Sequence, residues 1–351
     1  MDLEPPASRH IATGDAFDPL TVGASPGHAF LAAGNPRTVL EAAAASIRRG
    51  DRGVLALVLE TEGSTYAGVG DLVLFDDDLQ VGWLSGGCLE PQLAKRARDV
   101  ADSGGIDLVE IDTRSDDDLL AGSALGCRGR LRIAMLPLRS MPGVDALIDA
   151  WLHGGVSLLA RISTDAEVEF QAGSQRAQWR LRNEHQAWPG DARSWRLLLQ
   201  RLPRLLVLGA GPETSTLIPL LRELGWFACL AERRSRWSVM GHSADAHLQL
   251  APASAIHDVT PDAVLVMHHD FELDREALDA LAGTDIDFIG LLGPRRRRDD
   301  LFKLLAPNQC ESLVPRLRSP VGLDLGGRGP EAIALSIAAQ LQQWRVVAAS
   351  A

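Results

Sequence analysis

Hydrophobic and polar positions fall into distinct regimes along the chain. Asn35 is a candidate N-cap with Pro36 at the first helical position, and Val39, Leu40, Ala43 and Ile47 then keep helical spacing. Residues 54–59 read VLALVL, an unbroken apolar run whose length suits a strand buried on both faces. LVLF at 72–75 and LQVGWL at 79–84 flank Asp76-Asp77-Asp78, which predicts a hairpin. A helix is expected from about Cys88 to Asp102, and IDLVEID (106–112) and LRIAML (131–136) predict two further strands. From Arg204 the pattern alternates: strand LLVLG, helix 213–224, strand FACLAE, strand AVLVMH (263–268), helix 272–282, strand DFIGLL (287–292), a helix after Pro294 and a last helix from Pro330. Such alternation implies a parallel sheet covered on both faces. Leu217, Leu220, Leu221 and Leu224 form a buried stripe on the first of these helices, and Ile333, Ile337, Leu341 and Trp344 form one on the last.

The pattern divides the 351 residues into a disordered tail (1–34), an N-terminal mixed α/β domain (35–140), a variable middle section and linker (141–203), and a doubly wound α/β domain (204–351). The middle section holds Trp151, Trp179, Trp188 and Trp195, half of the chain's eight tryptophans, but no chemical motif. A net charge of −11 supplies no general field for phosphate backbones, so nucleic acid is not an expected partner. No uncharged apolar run reaches the roughly 18–20 residues of a bilayer span. The first thirty residues carry Asp2 and Glu4 and no apolar core of a signal peptide. With only four scattered cysteines, the expected address is the reducing cytoplasm.

Candidate chemistry lies in glycine-rich loops. Gly209-Ala210-Gly211-Pro212-Glu213-Thr214 follows a strand and opens a helix, where Gly211 would let a phosphate approach the backbone. Glu232 ends the next strand, where an acid binds ribose hydroxyls in dinucleotide folds. Thr214 replaces the usual third glycine, and Glu213 sets a negative charge beside the expected phosphate. Ser85-Gly86-Gly87-Cys88 reads as an anion nest ahead of a helix. Cys88 at that helix start would have a lowered pKa and suit a soft metal, and Cys127 in LGCRG is the other candidate ligand. Gly63 and Ser64, in GSTY, form a second polar loop containing the single tyrosine. His268, His269 and Asp270 close a strand, and Gly293 and Arg295 follow the next one. Asp324 sits among the glycines before Pro330, while Cys229 and Cys310 read as structural.

GSTY, WLSGGCLE, LGCRG, LVLGAGPET, VMHHDFELD, FIGLLGPRRRR and PVGLDLGGRGPEAIALSIAAQL together resemble the XdhC/CoxI family of xanthine dehydrogenase accessory proteins. The resemblance spans about 40–137 and 204–345 and implies that the second region is Rossmann-like. Pro294 departs from the Ser common in the family, as does Gly327-Arg328-Gly329 from its Ala/Lys/Thr-type residues. The resemblance further implies binding of molybdenum cofactor (molybdopterin) while its terminal oxo ligand is exchanged for sulfido. Transfer to a xanthine dehydrogenase-type molybdoenzyme would follow, with a cysteine desulfurase as second partner, a homodimeric state and no catalytic turnover. On this reading the phosphate meets Gly209 and Gly211, the metal meets Cys88 or Cys127, and Asp270 and Asp324 accept from pterin N–H groups, in a cleft between the two domains of one chain or between the domains of two chains in a dimer. The rival readings are an NAD(P)-dependent oxidoreductase using His268 or His269 as acid–base, and an adaptor that binds no ligand.

Overall fold

The computed structural model describes residues 35–77, 79–85, 87, 89–112, 129–183 and 193–347, and the backbone of 29–31 and 348–350. Its first layer is a seven-stranded sheet ordered β1-β4-β3-β2-β6-β5-β10. The strands are β1 (Ala29–Leu31), β2 (Val54–Gly63), β3 (Leu72–Phe75), β4 (Leu79–Gly82), β5 (Gly105–Asp112), β6 (Gly129–Pro137) and β10 (Arg182–Asn183). The VLALVL run is buried throughout, and its alternation divides it between two cores. Leu55, Leu57 and Leu59 face helix α1 (Pro36–Arg49), whereas Val54, Ala56 and Val58 face helix α2 (Glu90–Ser103). Asn35 caps α1 by accepting from the Thr38 N–H at 3.2 Å, and Gly50 ends it in the left-handed conformation. Ala29–Leu31 pair in parallel with β4, so three residues of the expected tail are a strand instead.

The middle section is folded. Helix α3 (Val144–His153) and an antiparallel sheet ordered β11-β7-β8-β9 build it, from β7 (Leu158–Ser163), β8 (Glu167–Ala172), β9 (Gln175–Arg180) and β11 (Ser194–Leu199). Trp151, Phe170, Trp179 and Trp195 share one apolar core with α1 and the inner face of the first sheet. Trp151, Trp179 and Trp195 are therefore packing residues.

From Arg204 onward six parallel strands take the order β14-β13-β12-β15-β16-β17. These are β12 (Arg204–Leu208), β13 (Phe227–Ala231), β14 (Ala246–Leu248), β15 (Ala263–Val266), β16 (Phe288–Leu291) and β17 (Leu317–Arg318). Renumbered within the unit this is 3-2-1-4-5-6, the order of a dinucleotide-binding sheet, with its topological switch between β12 and β15. Leu205 and Val207 turn to one face, covered by α4 (Thr214–Glu223) and the last helix α9 (Pro330–Ser350). Leu206 and Leu208 turn to the other, covered by α5 (Pro252–Val259), α6 (Phe271–Ala282), α7 (Arg295–Phe302) and α8 (Pro307–Leu313).

The two units meet at the N-terminal ends of these strands. Arg37 of α1 is buried, donates to the Trp226 carbonyl and pairs with Asp245. Asn35 donates to the Glu223 carbonyl at 2.5 Å, and Arg201 pairs with Asp262 at 2.6 Å. His153 lies edge-on to Phe227. Gly209, His269 and Gly293 lie at the opposite, C-terminal ends. The expected cleft with Gly209 on one wall and the first domain on the other is therefore not formed by these contacts within one chain. Among the described residues, no helix is long and apolar enough to cross a membrane.

Candidate functional site

In the first unit, topology gathers the candidate loops at one end of the sheet. Strands β2 and β4 run the same way, so the loops after Gly63 and after Gly82 leave together. Strand β6 enters there, with Gly129 opposite Gly63. A Cβ on Gly129 would stand 2.5 Å from the Ser64 carbonyl oxygen, so only glycine lets the two loops touch. Gly86, Cys88 and Cys127 lie outside the described residues. Around them, Glu90 and Ser85 organise the loop. The buried Glu90 carboxylate accepts from the N–H groups of Leu84 (3.1 Å) and Ser85 (2.8 Å), and from the Ser85 hydroxyl. Ser85 Oγ accepts from the N–H groups of Gly87 and Leu89, both at 3.1 Å. The Ser85 and Gly87 amides point at the protein's own oxygens, while Gly86, the other glycine of the expected anion nest, lies outside the described residues.

At the switch point of the second sheet the glycine loop is also internally engaged. The Ala210 N–H donates to Glu232 Oε2 at 2.8 Å, and the Gly211 N–H donates to Thr214 Oγ1 at 2.9 Å. Arg234 holds the assembly together: it donates to Glu232 (2.6 Å), to the His268 carbonyl (2.6 Å) and to the Ala210 carbonyl (3.0 Å). Burial alone would raise the Glu232 pKa, but Arg234 and the Ala210 N–H outweigh it and hold the carboxyl below its ordinary range. His268 and Asp274 pair at 3.1 Å, and Arg297 pairs with Asp274 at 2.6 Å. His269 has a left-handed φ of 55°, which aims its ring across the loop, and its Nε2 lies 2.8 Å from Glu213 Oε1. The bond to Glu213, which is only 2% exposed, raises the imidazole pKa. A Cβ on Gly211 would stand 2.5 Å from His269 Nε2 and 2.6 Å from Glu213 Oε1. A phosphate approaching Gly209 and Gly211, as expected, would meet Ala210 and Gly211 amides that are engaged within the chain, and the Glu213 carboxylate and His269 imidazole stand next to Gly211. Glu232 likewise caps its own loop, where a ribose was expected. Asp270, an expected pterin contact, is the N-cap of α6 and accepts from the Leu273 N–H at 3.0 Å through one carboxylate oxygen.

The open volume lies beside this network. A cavity of about 280 Å³ separates the Gly293-Pro294 turn from the Pro320–Gly327 segment and the start of α9. Asp324 lines it, and among the described residues it has no ion-pair partner. Gly293 and Asp324 therefore share a cavity; Gly209, Gly211, Glu232 and His269 share the hydrogen-bonded loop; Gly63, Ser64, Ser85 and Gly87 belong to the first unit. Arg295 is exposed at the start of α7. Sequence reasoning did not single out Glu90 or Arg234. Each is an ionisable residue within two or three positions of a singled-out loop residue, which is the signal that marks it.

A parallel sheet in this order, carrying a closed glycine loop and preceded by a mixed sheet whose loops converge, defines a Rossmann unit joined to a second α/β unit. The chain belongs to the XdhC and CoxI family: residues 46–112 match the domain of that description, and residues 205–341 match the XdhC Rossmann domain. A Bacillus subtilis (strain 168) protein, named as a probable subunit of xanthine dehydrogenase, is 27% identical over 335 residues, which are 89% of this chain and 98% of the relative. The Escherichia coli (strain K12) molybdenum cofactor insertion chaperone PaoD is 24% identical over 333 residues, 92% of each protein. A crystal structure of a Bacillus halodurans protein, described as a xanthine dehydrogenase, is 28% identical, with a TM-score of 0.69 covering 88% of this chain and 94% of that one.

Proposed function

We propose that this protein is a maturation factor that holds molybdenum cofactor and inserts it into a xanthine dehydrogenase-type enzyme. The observation that carries this reading over its rival is the closed glycine loop. A nicotinamide dinucleotide needs backbone amides at its pyrophosphate, and here Glu232 and Thr214 hold the Ala210 and Gly211 amides while Glu213 adds an opposing charge. The names of the relatives from Bacillus subtilis and Escherichia coli support the choice of client and cargo. In finer detail, Cys88 or Cys127 is the thiolate offered to the metal, and the cofactor is sulfurated on the chaperone with a cysteine desulfurase as donor. The functional unit is a homodimer, in which loops of different chains face each other.

The test is the content of the full chain purified from a molybdate-fed host. The proposal expects molybdenum and pterin in about equal amounts, approaching one per chain, and no saturable NAD(P) binding by calorimetry. A chain without metal or pterin that binds NAD(P) tightly would overturn it in favour of an oxidoreductase.

A further inference from the structure

We infer that the outward face of α9 is where a second copy of this chain docks, the two helices lying antiparallel about a two-fold axis at Ala339. This rests on the homodimer of the proposed function and assigns its contact face. The first observation is that the helix is apolar on both sides. Ala334, Ile337, Ala338 and Leu341 are buried against the sheet, yet the opposite face carries Leu335 at 54% and Val346 at 57% exposure. With Ile333, Val347 and the adjoining Leu325, this region holds five of the eleven large apolar side chains exposed among the described residues, so the exposure is concentrated rather than scattered. A helix apolar all round belongs in a buried setting, and a patch of this kind marks an interaction surface.

The second observation is spacing. Ala332, Leu335, Ala339, Gln342 and Val346 recur at alternating steps of three and four, the a and d seam of two packed helices. Turned antiparallel on itself, the seam sets Val346 against Ala332 and brings alanine to alanine at the axis, where the backbones can approach closely. A two-fold contact needs such self-complementarity.

The third is charge. On a chain of net charge −11, α9 carries only Glu331 and Arg345, one at each end. Among the described residues neither has an ion-pair partner within 4.0 Å. Arg345 lies over the Trp226 ring and donates to the Leu224 carbonyl at 2.9 Å, and desolvation lowers its pKa with no acid to offset it. Both charged residues directly precede an a position and so share one flank. Antiparallel packing brings Glu331 of one copy to Arg345 of the other and opposes the two helix dipoles.

This orientation also joins ends that one chain keeps apart. Helix α9 starts beside the Gly293-Pro294 turn at the C-terminal strand ends, where Ala332 and Ile333 line the cavity. It finishes at the N-terminal ends, where the Trp344 ring lies 5.4 Å from that of Phe288 and 6.4 Å from that of Trp226. The Trp226 carbonyl is the one that accepts from Arg37 of the first unit. Pairing start to finish therefore sets the first unit of one copy on the side of the loop-bearing strand ends of the other.

The full chain is examined by sedimentation velocity over micromolar concentrations, alongside Leu335→Lys, Ala339→Arg and, as a control exposed elsewhere, Val314→Lys. The expected result is a dimer for the parent and the control, with the dimer dissociation constant raised about tenfold or more in both α9 variants at unchanged circular dichroism. Direction is read by mildly oxidising a mixture of chains carrying Ala332→Cys and chains carrying Val346→Cys, with the parent as baseline. Crosslinks between the two kinds of chain are expected, and crosslinks only within each kind overturn the antiparallel arrangement. A monomeric parent, or a dimer unmoved by both α9 variants, overturns the inference. Molybdenum and pterin retained from the molybdate-fed host are measured on the same preparations. A monomeric parent that keeps its cargo overturns the contact face and leaves the cofactor-holding reading standing; a dimer broken by both variants but without cargo does the reverse.

Discussion

Arg234→Met removes the cation that ties three strand ends of the Rossmann unit together. The arginine makes bonds of 2.6 and 2.9 Å to the Glu232 carboxylate and 2.6 and 3.0 Å to the His268 and Ala210 carbonyls, all lost with the guanidinium. Glu232 has a side chain only 1% exposed, so the variant leaves a buried charge with two backbone donors, the N–H groups of Ala210 and residue 234. Breaking a buried pair from one side costs about 3–5 kcal/mol, and Arg234, at 28% exposed, places the expected loss near the lower end, about 3 kcal/mol. Adding Glu232→Gln neutralises the stranded charge while keeping a carbonyl for the Ala210 N–H, and should recover about 1–2 kcal/mol. Urea unfolding followed by tryptophan fluorescence gives the free energies. Hydrogen exchange of a peptide covering 205–215 localises the effect, with faster exchange at Ala210 and Gly211 in the single variant. A single variant within about 0.5 kcal/mol of the parent, or a double variant no better than the single one, would refute the claim that Glu232 and Arg234 close the loop as a pair.

Other expectations follow from the same geometry. The His269 pKa is raised above its ordinary 6.5 by Glu213, so this pair stabilises the fold fully below pH 6.5 and the gain fades as pH rises through the raised value; the stability gap between parent and Glu213→Gln should be larger at pH 6 than at pH 9, and equal gaps would contradict it. Gly129→Ala forces a Cβ to 2.5 Å from the Ser64 carbonyl and should destabilise the first unit by about 1–3 kcal/mol, measured by urea unfolding. Arg37→Met removes the buried link to Asp245 and Trp226, and should expose the 199–204 connection to limited proteolysis at least severalfold faster; an unchanged cleavage rate would remove Arg37 from the interface. Cys88→Ser and Cys127→Ser, compared at equal folding, should differ in retained molybdenum if one thiolate holds the metal, and equal full retention in both would exclude that role.

Strand and helix positions were legible where apolar residues ran long enough to show a period. VLALVL and LLVLG declared their faces, the stripe on α9 did so for Ile337, Leu341 and Trp344 but not for the exposed Ile333, and the alternation after Arg204 announced a parallel sheet. Short elements had no such signal. Strand β14 at Ala246–Leu248, helix α5 at Pro252–Val259 and helix α8 at Pro307–Leu313 are too brief to display a stripe, and neighbouring elements dictate them. For the candidate site, glycine-rich turns were legible because some of them take left-handed conformations at strand ends, as Gly209 and Gly293 do. The direction of the amides was not legible. Whether an N–H faces a ligand or Glu232 depends on a partner 22 positions away, and spacing alone does not encode that. The same holds for the Ser85 amide, which donates to the Glu90 carboxylate, and for the Gly87 amide, which donates to the Ser85 hydroxyl. Nor did periodicity show which end of the Rossmann sheet meets the first unit, a choice made by the buried Arg37–Asp245 contact.

The most direct test of the central claim is transfer. Full-length chain purified from a molybdate-fed host is mixed with a cofactor-free xanthine dehydrogenase-type enzyme, and molybdenum in each separated protein is followed with the activity that appears. The account predicts that metal leaves this chain and arrives in the client in equal amounts, with activity rising in step and free molybdate unable to substitute. Metal that stays on the chain, or a client activated equally well without it, would contradict the account.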